Sequence, residues 1–196
     1  MYKRQILTDP EYGLPATKVR DKNCGLLLSY EKTGYDTTEP GRMCDLIPDQ
    51  SALRIKKDGA DAVKFLLYYD PDESDEINDK KKAFVERVGA ETKANNLAFF
   101  LELLTYDGKM DSIKSEEYAK VKPNKVLRTM KEFSKSQYDV TVLKVEMPFN
   151  IEFVEGHNGG NNVVYTEREA KELLKKQSDI TDLPYIFLSA CLLYTS

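Results

Sequence analysis

Lys144 is the residue whose surroundings most favour chemistry, because it lies in the middle of an apolar, β-branched run, 139–148, that ends at Pro148. Such a run predicts a strand covered on both faces, as in a parallel sheet. A lone ammonium is costly to desolvate there, so either a carboxylate pairs with it or it stays neutral with a lowered pKa. A neutral lysine is a nucleophile, which makes Lys144 a candidate for a Schiff base with a carbonyl substrate. A structural ion pair is the alternative interpretation.

The histidine and cysteine content narrows the remaining chemistry. The single histidine, His157, lies in a Gly-rich turn, and Cys24, Cys44 and Cys191 are widely spaced without a CxxC pair. A zinc enzyme needs two or three nitrogen or sulfur ligands, and Ser or Cys triads need a well-placed histidine. We therefore expect no metal and no cofactor, which leaves lysine and carboxylate chemistry. The cysteine pattern also indicates a reducing compartment, and we expect a cytoplasmic protein.

The charge balance argues against polyanionic partners. The 29 basic and 33 acidic side chains give a net charge of −4. The length of 196 residues is enough for one domain with a sizeable core. The run 80–82 is interpreted as a solvated helix face because acidic residues precede it. No apolar run approaches the roughly 20 residues of a membrane span. We expect no nucleic acid and no membrane among its partners.

Six strand-like segments alternate with amphipathic segments along the chain. The predicted strands are 6–8, 25–30, 62–70, 97–104, 139–148 and 183–189. The predicted helices are one over 51–58 capped by Asp49, one after Asp70 with Ile77, Phe84, Val85 and Val88 on one face, one with Pro123 in its first turn, and one opened by the capping box Thr166-x-x-Glu169. This alternation predicts right-handed crossovers and a parallel sheet.

The sheet can be an open doubly wound sheet or a (β/α)8 barrel. No GxGxxG or GxxxxGK[ST] loop follows a strand, which weakens the nucleotide-binding open sheet. Barrel enzymes carry their chemistry at the carboxyl ends of the strands, and Lys64, Glu102, Lys144 and Ser189 are expected there or just inside. The pleat period predicts that the first three share one face.

Two lysines and a carboxylate in one water-poor space suit an aldol cleavage. A lysine amine attacks the ketone carbon, and a carboxylic acid moves protons as the carbinolamine loses water and the C–C bond breaks. A second cation depresses the pKa of the nucleophile and can hold a hydroxyl or phosphate oxygen. Non-catalytic roles remain open for two of these residues: Glu102 can be the salt-bridge partner of a core lysine, and Lys64 can be a structural lysine. Glu146 is left unassigned.

Seven longer motifs follow one another along the chain: Asp9-Pro-Glu-Tyr-Gly-Leu-Pro-Ala16, Tyr30-Glu-Lys-Thr-Gly-Tyr-Asp36, Val63-Lys-Phe-Leu-Leu-Tyr-Tyr-Asp70, Phe99-Phe-Leu-Glu102, Tyr118-Ala-Lys-Val-Lys-Pro123, Val142-Leu-Lys-Val-Glu146 and Leu188-Ser-Ala190. In this order they resemble the class I tagatose 1,6-bisphosphate aldolases over nearly the whole of residues 6–190. The resemblance implies a (β/α)8 barrel and reversible, metal-independent cleavage of tagatose 1,6-bisphosphate to dihydroxyacetone phosphate and glyceraldehyde 3-phosphate. It also implies a place in the tagatose 6-phosphate pathway of lactose and galactose catabolism.

The resemblance assigns roles to individual residues. Lys144 matches the Schiff-base lysine of the sixth barrel strand, Glu102 the proton-transferring glutamate, and Lys64 the active-site lysine of the fourth strand. Leu188 and Ser189 match the start of a phosphate-binding turn. A sugar phosphate is therefore the expected small-molecule partner.

The resemblance further predicts a truncated barrel. Residues 6–190 correspond to strands two to seven, strands one and eight are missing, and 1–5 and 191–196 match nothing in the family, as translated adapter sequence would. Two open sheet edges predict marginal folding or association into a homo-oligomer.

Two alternative functions stay open beside the tagatose bisphosphate aldolase. One is a Schiff-base aldolase for a related ketose phosphate, such as a sulfonated one. The other is a catalytically inactive barrel fragment that binds a sugar phosphate or nothing. The residues also leave open the choice between tagatose and its C4 epimer fructose, because only one hydroxyl's orientation differs.

Overall fold

The fold is a six-stranded parallel sheet with helices between successive strands. The computed structural model describes residues 4–9, 13, 15, 18–21, 23–32, 34, 35 and 40–188. The elements are β1 (Arg4–Thr8), β2 (Cys24–Ser29), α1 (Ala52–Lys57), β3 (Ala62–Tyr69), α2 (Asp75–Ala94), β4 (Ala98–Thr105), α3 (Glu116–Phe133), β5 (Val142–Val145), α4 (Glu167–Ser178) and β6 (Tyr185–Phe187). Short 3₁₀ helices cover Ser136–Tyr138 and Ile151–Phe153.

The strand order in the sheet is the strand order in the chain. Each strand pairs in parallel with the next, from β1 to β6, which confirms the predicted parallel sheet. An open doubly wound sheet reverses its order at a switch point, whereas a barrel does not. The described strands therefore follow the barrel type of topology.

The main core lies between one face of the sheet and the helices. On that face Phe65, Leu67, Leu101, Leu103, Leu143 and Val145 are buried, against Val85 and Val88 of α2 and Val126, Met130 and Phe133 of α3. A Cβ built on Gly89 of α2 would lie 2.0 Å from the carbonyl oxygen of Tyr138, so α2 packs closely on the turn before β5. The helices thus cover one face, whereas the other carries a small apolar cluster, Leu27, Ala62 and Phe100, together with charged residues.

The predicted starts of two helices are wrong. The Ser51 side chain, and not Asp49, caps α1 by accepting a hydrogen bond from the Arg54 backbone N–H. The third helix begins at Glu116 behind its cap Ser115, so Pro123 lies in its interior and not in its first turn. A serine cap and an acidic first turn favour this earlier start.

The interior proline of α3 is accommodated by a contact from outside the helix. Pro123 has no N–H to offer the Ala119 carbonyl, its i−4 partner. The Tyr165 hydroxyl donates to that carbonyl oxygen instead, at 2.9 Å. The capping box of the following helix is confirmed, since Thr166 and Glu169 bond reciprocally at the start of α4.

Two further predictions about exposure are corrected. Lys81 does not lie on a solvated face, because its side chain is fully buried and donates to the Tyr68 carbonyl oxygen at 2.7 Å. β5 is shorter than predicted and buried on one face only: Leu143 and Val145 are buried, whereas Lys144 is half-buried. Its second face borders an open cavity. Within the described part of the chain, no helix is long and apolar enough to cross a membrane.

Candidate active site

Lys144, Glu102 and Lys64 converge on the uncovered face of the sheet, as predicted. The register pairs Glu102 of β4 with Lys144 of β5, and Lys144 Nζ donates to Glu102 Oε2 at 3.0 Å. Lys64 Nζ of β3 lies 3.3 Å from the same oxygen. One carboxylate oxygen therefore serves two ammonium groups.

A fourth member of this cluster, Glu31, was missed by the sequence analysis. Its Oε1 forms an ion pair with Lys64 Nζ, and it lies two residues beyond the end of β2. The side chains of Glu31, Lys64 and Glu102 are only 9–10% exposed, against 17% for Lys144. The available signal was its position after a predicted strand, inside the motif that begins at Tyr30.

Burial dominates the electrostatics of Glu31. It raises the pKa of the carboxyl group above its usual value, although the nearby Lys64 ammonium acts in the opposite direction. The second oxygen of Glu31, Oε2, is buried and accepts no hydrogen bond from any residue that the structure describes. A buried acceptor of this kind is a candidate partner for a ligand hydroxyl.

The cluster forms part of the wall of an open cavity of about 650 Å³. Its other described walls are Leu7, Thr8, Asp9, Ser29, Lys32, Gly34, Tyr35, Arg42, Leu66 and Tyr68. Tyr35 is fixed there by a hydrogen bond from its hydroxyl to the Leu66 carbonyl and by an edge contact with the Tyr68 ring, at a centroid distance of 5.0 Å. The cavity thus combines two lysines with aromatic and cationic walls.

The positions of the predicted site residues along their strands differ. Lys144 is the third of four residues in β5 and Glu102 the fifth of eight in β4, but Lys64 is only the third of eight in β3. The prediction that Lys64 lies at or just inside a carboxyl end is therefore wrong. The parallel register pairs Glu102 with Leu66, two residues beyond Lys64, and the long lysine stem spans this offset.

Of the predicted phosphate-binding pair, Leu188 and Ser189, the structure describes only Leu188. Ser189 lies outside the described residues. Leu188 follows β6, and its N–H donates to the Val145 carbonyl at 2.9 Å; it is not among the described residues that line the cavity.

Glu146, left unassigned above, belongs to a separate network. Its Oε2 accepts hydrogen bonds from the Thr105 N–H at 2.7 Å and the Thr105 hydroxyl at 2.8 Å, and Oε1 lies 3.2 Å from Lys122 Nζ. It ties the end of β4 to α3.

Comparison with known proteins gives the chain a family. Residues 2–192 match the family described as DeoC/LacD family aldolase. The chain is 58% identical to tagatose 1,6-diphosphate aldolase 2 of Enterococcus faecalis and 57% identical to tagatose 1,6-diphosphate aldolase of Streptococcus pneumoniae serotype 4, each over 96% of this chain. It spans 57% and 58%, respectively, of the length of those two relatives.

Solved structures similar to the chain support the fold. A fructose-bisphosphate aldolase from Plasmodium falciparum matches 96% of this chain and 58% of its own, with a TM-score of 0.59 and 16% identity. An archaeal fructose 1,6-bisphosphate aldolase matches 92% of this chain and 57% of its own, with a TM-score of 0.57 and 11% identity. The described sheet therefore shares its architecture with part of these aldolases.

Proposed function

Since this chain belongs to the DeoC/LacD family of aldolases, we propose that it is a class I aldolase acting on tagatose 1,6-bisphosphate. The proposed reaction is reversible cleavage to dihydroxyacetone phosphate and glyceraldehyde 3-phosphate through a Schiff base. The names of the two relatives support the substrate. The observation that carries the chemistry is the single Glu102 oxygen within 3.0 Å of Lys144 Nζ and 3.3 Å of Lys64 Nζ.

Lys144 is the proposed nucleophile. Glu102 accepts a proton from the Lys144 ammonium, and the neutral amine attacks the C2 carbonyl carbon to give a carbinolamine. Glu102 returns a proton to the departing hydroxyl, so that water leaves and an iminium forms. The Glu102 carboxylate then takes the C4 hydroxyl proton as the C3–C4 bond breaks. The aldehyde leaves, and the electron pair of the broken bond forms an enamine. Glu102 returns the proton to C3, and hydrolysis of the resulting iminium releases dihydroxyacetone phosphate and restores the amine.

Lys64 and Glu31 support this proton transfer. Lys64 is a second cation beside Glu102 and can contact a substrate oxygen. The ion pair with Glu31 holds Lys64 in place, and the Glu31 oxygen without a described donor can accept from a sugar hydroxyl. The reaction so written calls for neither a metal nor an organic cofactor.

The finer architecture and cell location are part of the proposal. The six strands correspond to strands two to seven of a (β/α)8 barrel, with Leu188 and Ser189 opening a phosphate-binding turn, in a cytoplasmic protein. The chain-order topology and the aldolase neighbours support the barrel. The non-native origin of 1–5 and 191–196 stays a prediction, which the codons at the genomic locus test.

Self-association is the remaining part of the proposal. β1 and β6 are the edge strands of the described sheet, and Leu7, Ile186 and Phe187 on them are exposed. Unpaired strand edges with apolar side chains favour pairing with another chain. Sedimentation of the protein as a compact, stable monomer would contradict a homo-oligomer.

Borohydride trapping tests the central claim. With dihydroxyacetone phosphate, reduction is expected to add the ligand to Lys144, as peptide mass mapping reports, and not to Lys64. Lys144→Ala should lose the adduct, whereas Lys80→Ala, at an exposed lysine paired with Glu76, should keep it. Absence of an adduct on folded protein would refute the Schiff-base mechanism. Saturable binding without an adduct would favour a non-catalytic sugar-phosphate binder.

A further inference from the structure

Resting on the proposed function, we propose that Arg42 binds the phosphate group of the substrate that is remote from the Schiff-base carbon. Arg42 lines the same cavity as Lys144 but comes from the segment between β2 and α1. It is thus a substrate-binding residue for one end of a ketose bisphosphate, with Lys144 reacting nearer the other end.

Two tyrosine rings hold the Arg42 guanidinium in position. Its Cζ lies 5.3 Å from the centroid of the Tyr68 ring and 4.6 Å from that of Tyr106, both within cation–π range. Lys81 holds both tyrosines in place, because its Nζ donates to the Tyr68 carbonyl at 2.7 Å and lies 3.2 Å from the Tyr106 hydroxyl. The guanidinium is therefore pre-positioned by a buried framework.

The backbone at Arg42 is also held in an uncommon conformation. Arg42 has φ 45°, in the left-handed region, and follows Gly41 with φ 89°. A Cβ on Gly41 would lie 2.6 Å from a side-chain carbon of Ile77, so this turn packs directly on α2. Strained backbone of this kind clusters at active sites and ligand clamps, although Asn96 and Asp139 adopt it here outside the cavity.

The hydrogen-bonding capacity of Arg42 is open to a ligand. Among the residues that the structure describes, no carboxylate forms an ion pair with Arg42 and no acceptor takes a hydrogen bond from its guanidinium. A planar guanidinium offers a fork of donors that matches phosphate oxygens, and its charge persists at all physiological pH values. A doubly charged phosphate is therefore its best match.

The position of Arg42 suits an extended ligand. Tyr68 lies two residues beyond Leu66, the register partner of Glu102, and Tyr106 lies four residues beyond Glu102. At about 3.3 Å per strand residue, the backbone of Tyr68 stands roughly 7 Å nearer the carboxyl edge than that of Leu66, and Tyr106 directly follows the last residue of β4. A sugar chain attached at Lys144 can reach Arg42 with a terminal phosphate across this span.

The test compares two ligands that differ only in the remote phosphate. Borohydride-trapped adduct at Lys144 is titrated by intact mass with tagatose 1,6-bisphosphate and with tagatose 1-phosphate. We expect half-maximal trapping at an about 10- to 100-fold lower concentration of the bisphosphate, since a hydrogen-bonded charge pair is lost with the monophosphate. Arg42→Ala should bring the two concentrations together, and Arg42→Lys should restore part of the difference.

Controls separate this inference from the proposed function. Arg168→Ala, at a surface arginine of α4 paired with Glu172, should keep the wild-type ratio. Three outcomes would each overturn the role of Arg42. The first is that Arg42→Ala keeps the wild-type ratio of the two concentrations, and the second is that the wild-type protein does not distinguish the two ligands. The third is that folded Arg42→Ala traps neither ligand. No adduct with either ligand in the wild type would instead refute the Schiff base itself, and the inference with it.

A third ligand separates phosphate from sulfonate. The 6-sulfonated analogue of tagatose 1-phosphate places a singly charged anion at the same end. Half-maximal trapping should require a higher concentration of the sulfonate than of the bisphosphate. Arg42→Ala should reduce this difference in concentration. A preference for the sulfonate would reject the assignment to phosphate.

Discussion

Two clusters of buried charge in this protein differ in their ratio of lysines to carboxylates. In the cavity, Lys64 and Lys144 share Glu102, and Glu31 adds a second carboxylate. Between α3 and the loops after β3 and β4, a single lysine, Lys125, contacts the three carboxylates of Asp70, Asp72 and Asp107. The first cluster is balanced, and the second has an excess of negative charge.

The excess of carboxylates fixes the protonation of Lys125. Burial acts to lower the pKa of Lys125, but the hydrogen bonds that Lys125 donates to Asp70, Asp107 and Asp72 outweigh it and raise the pKa. Lys125 is only 1% exposed and therefore acts as a permanent charged clamp. In the cavity, Lys144 contacts a single carboxylate, and it shares the Glu102 oxygen with Lys64. The number of carboxylates around a lysine thus separates a structural lysine from a candidate nucleophile.

Removing the shared carboxylate should give the largest effect on chemistry. In Glu102→Gln, Lys144 loses its proton acceptor, and we expect adduct formation with dihydroxyacetone phosphate to slow by about 10²- to 10⁴-fold. A borohydride-quenched time course measures this rate. Glu146→Gln is the matched control, because Glu146 is a partly buried carboxylate in the separate Thr105 network. A wild-type rate in Glu102→Gln would remove the proposed distinction between the two clusters.

Removing the clamp should give the largest effect on stability. Lys125→Met leaves Asp70 and Asp107 close together without this cation, while Asp72 keeps its ion pair with Arg128. We expect the substitution to lower the free energy of unfolding by about 3 to 5 kcal/mol. Lys144→Met should lower it by only about 1 kcal/mol, because Glu102 keeps Lys64 as a partner. Urea unfolding measures both values. If Lys144→Met proved the more destabilising of the two, the cavity lysine would be the structural one.

The sequence predicted the cavity cluster because strand patterns are local. Alternation along three strands placed Lys64, Glu102 and Lys144 on one face, and the parallel register then brought their side chains together. Glu31 lies beyond a strand end, where alternation carries no information. Its ion pair with Lys64 depends on how the segment after β2 folds over the sheet.

The errors of the sequence analysis come from contacts distant in the chain. Pro123 indicated a helix start by a local rule, but the Tyr165 hydroxyl supplies the hydrogen bond that an interior proline leaves unmade. Lys81 was assigned to solvent because charged residues surround it in the sequence, yet α2 points it under Tyr68 and Tyr106. Neither contact has a signature within the segment that it alters.

Lys81 extends the comparison to a lysine that is bonded to no carboxylate among the residues that the structure describes. Its Nζ contacts a carbonyl and a hydroxyl, and burial lowers its pKa from 10.5 to about 8. Below pH 8 the folded state holds a buried charge at a cost. Between pH 8 and 10.5 the folded protein releases this proton while the unfolded chain retains it, so stability rises with pH.

The last prediction is a pH-dependent difference in stability between wild type and Lys81→Met. From pH 7 to pH 10 the wild type should gain about 2 to 3 kcal/mol of unfolding free energy relative to Lys81→Met. Taking the difference cancels the titration of tyrosines and cysteines common to both proteins, and urea unfolding at each pH measures it. A difference that stays constant with pH would mean that Lys81 remains charged in the fold. Contacts with a carbonyl and a hydroxyl would then stabilise an ammonium as well as the carboxylates around Lys125 do, and carboxylate number would no longer explain how the lysines of this protein differ.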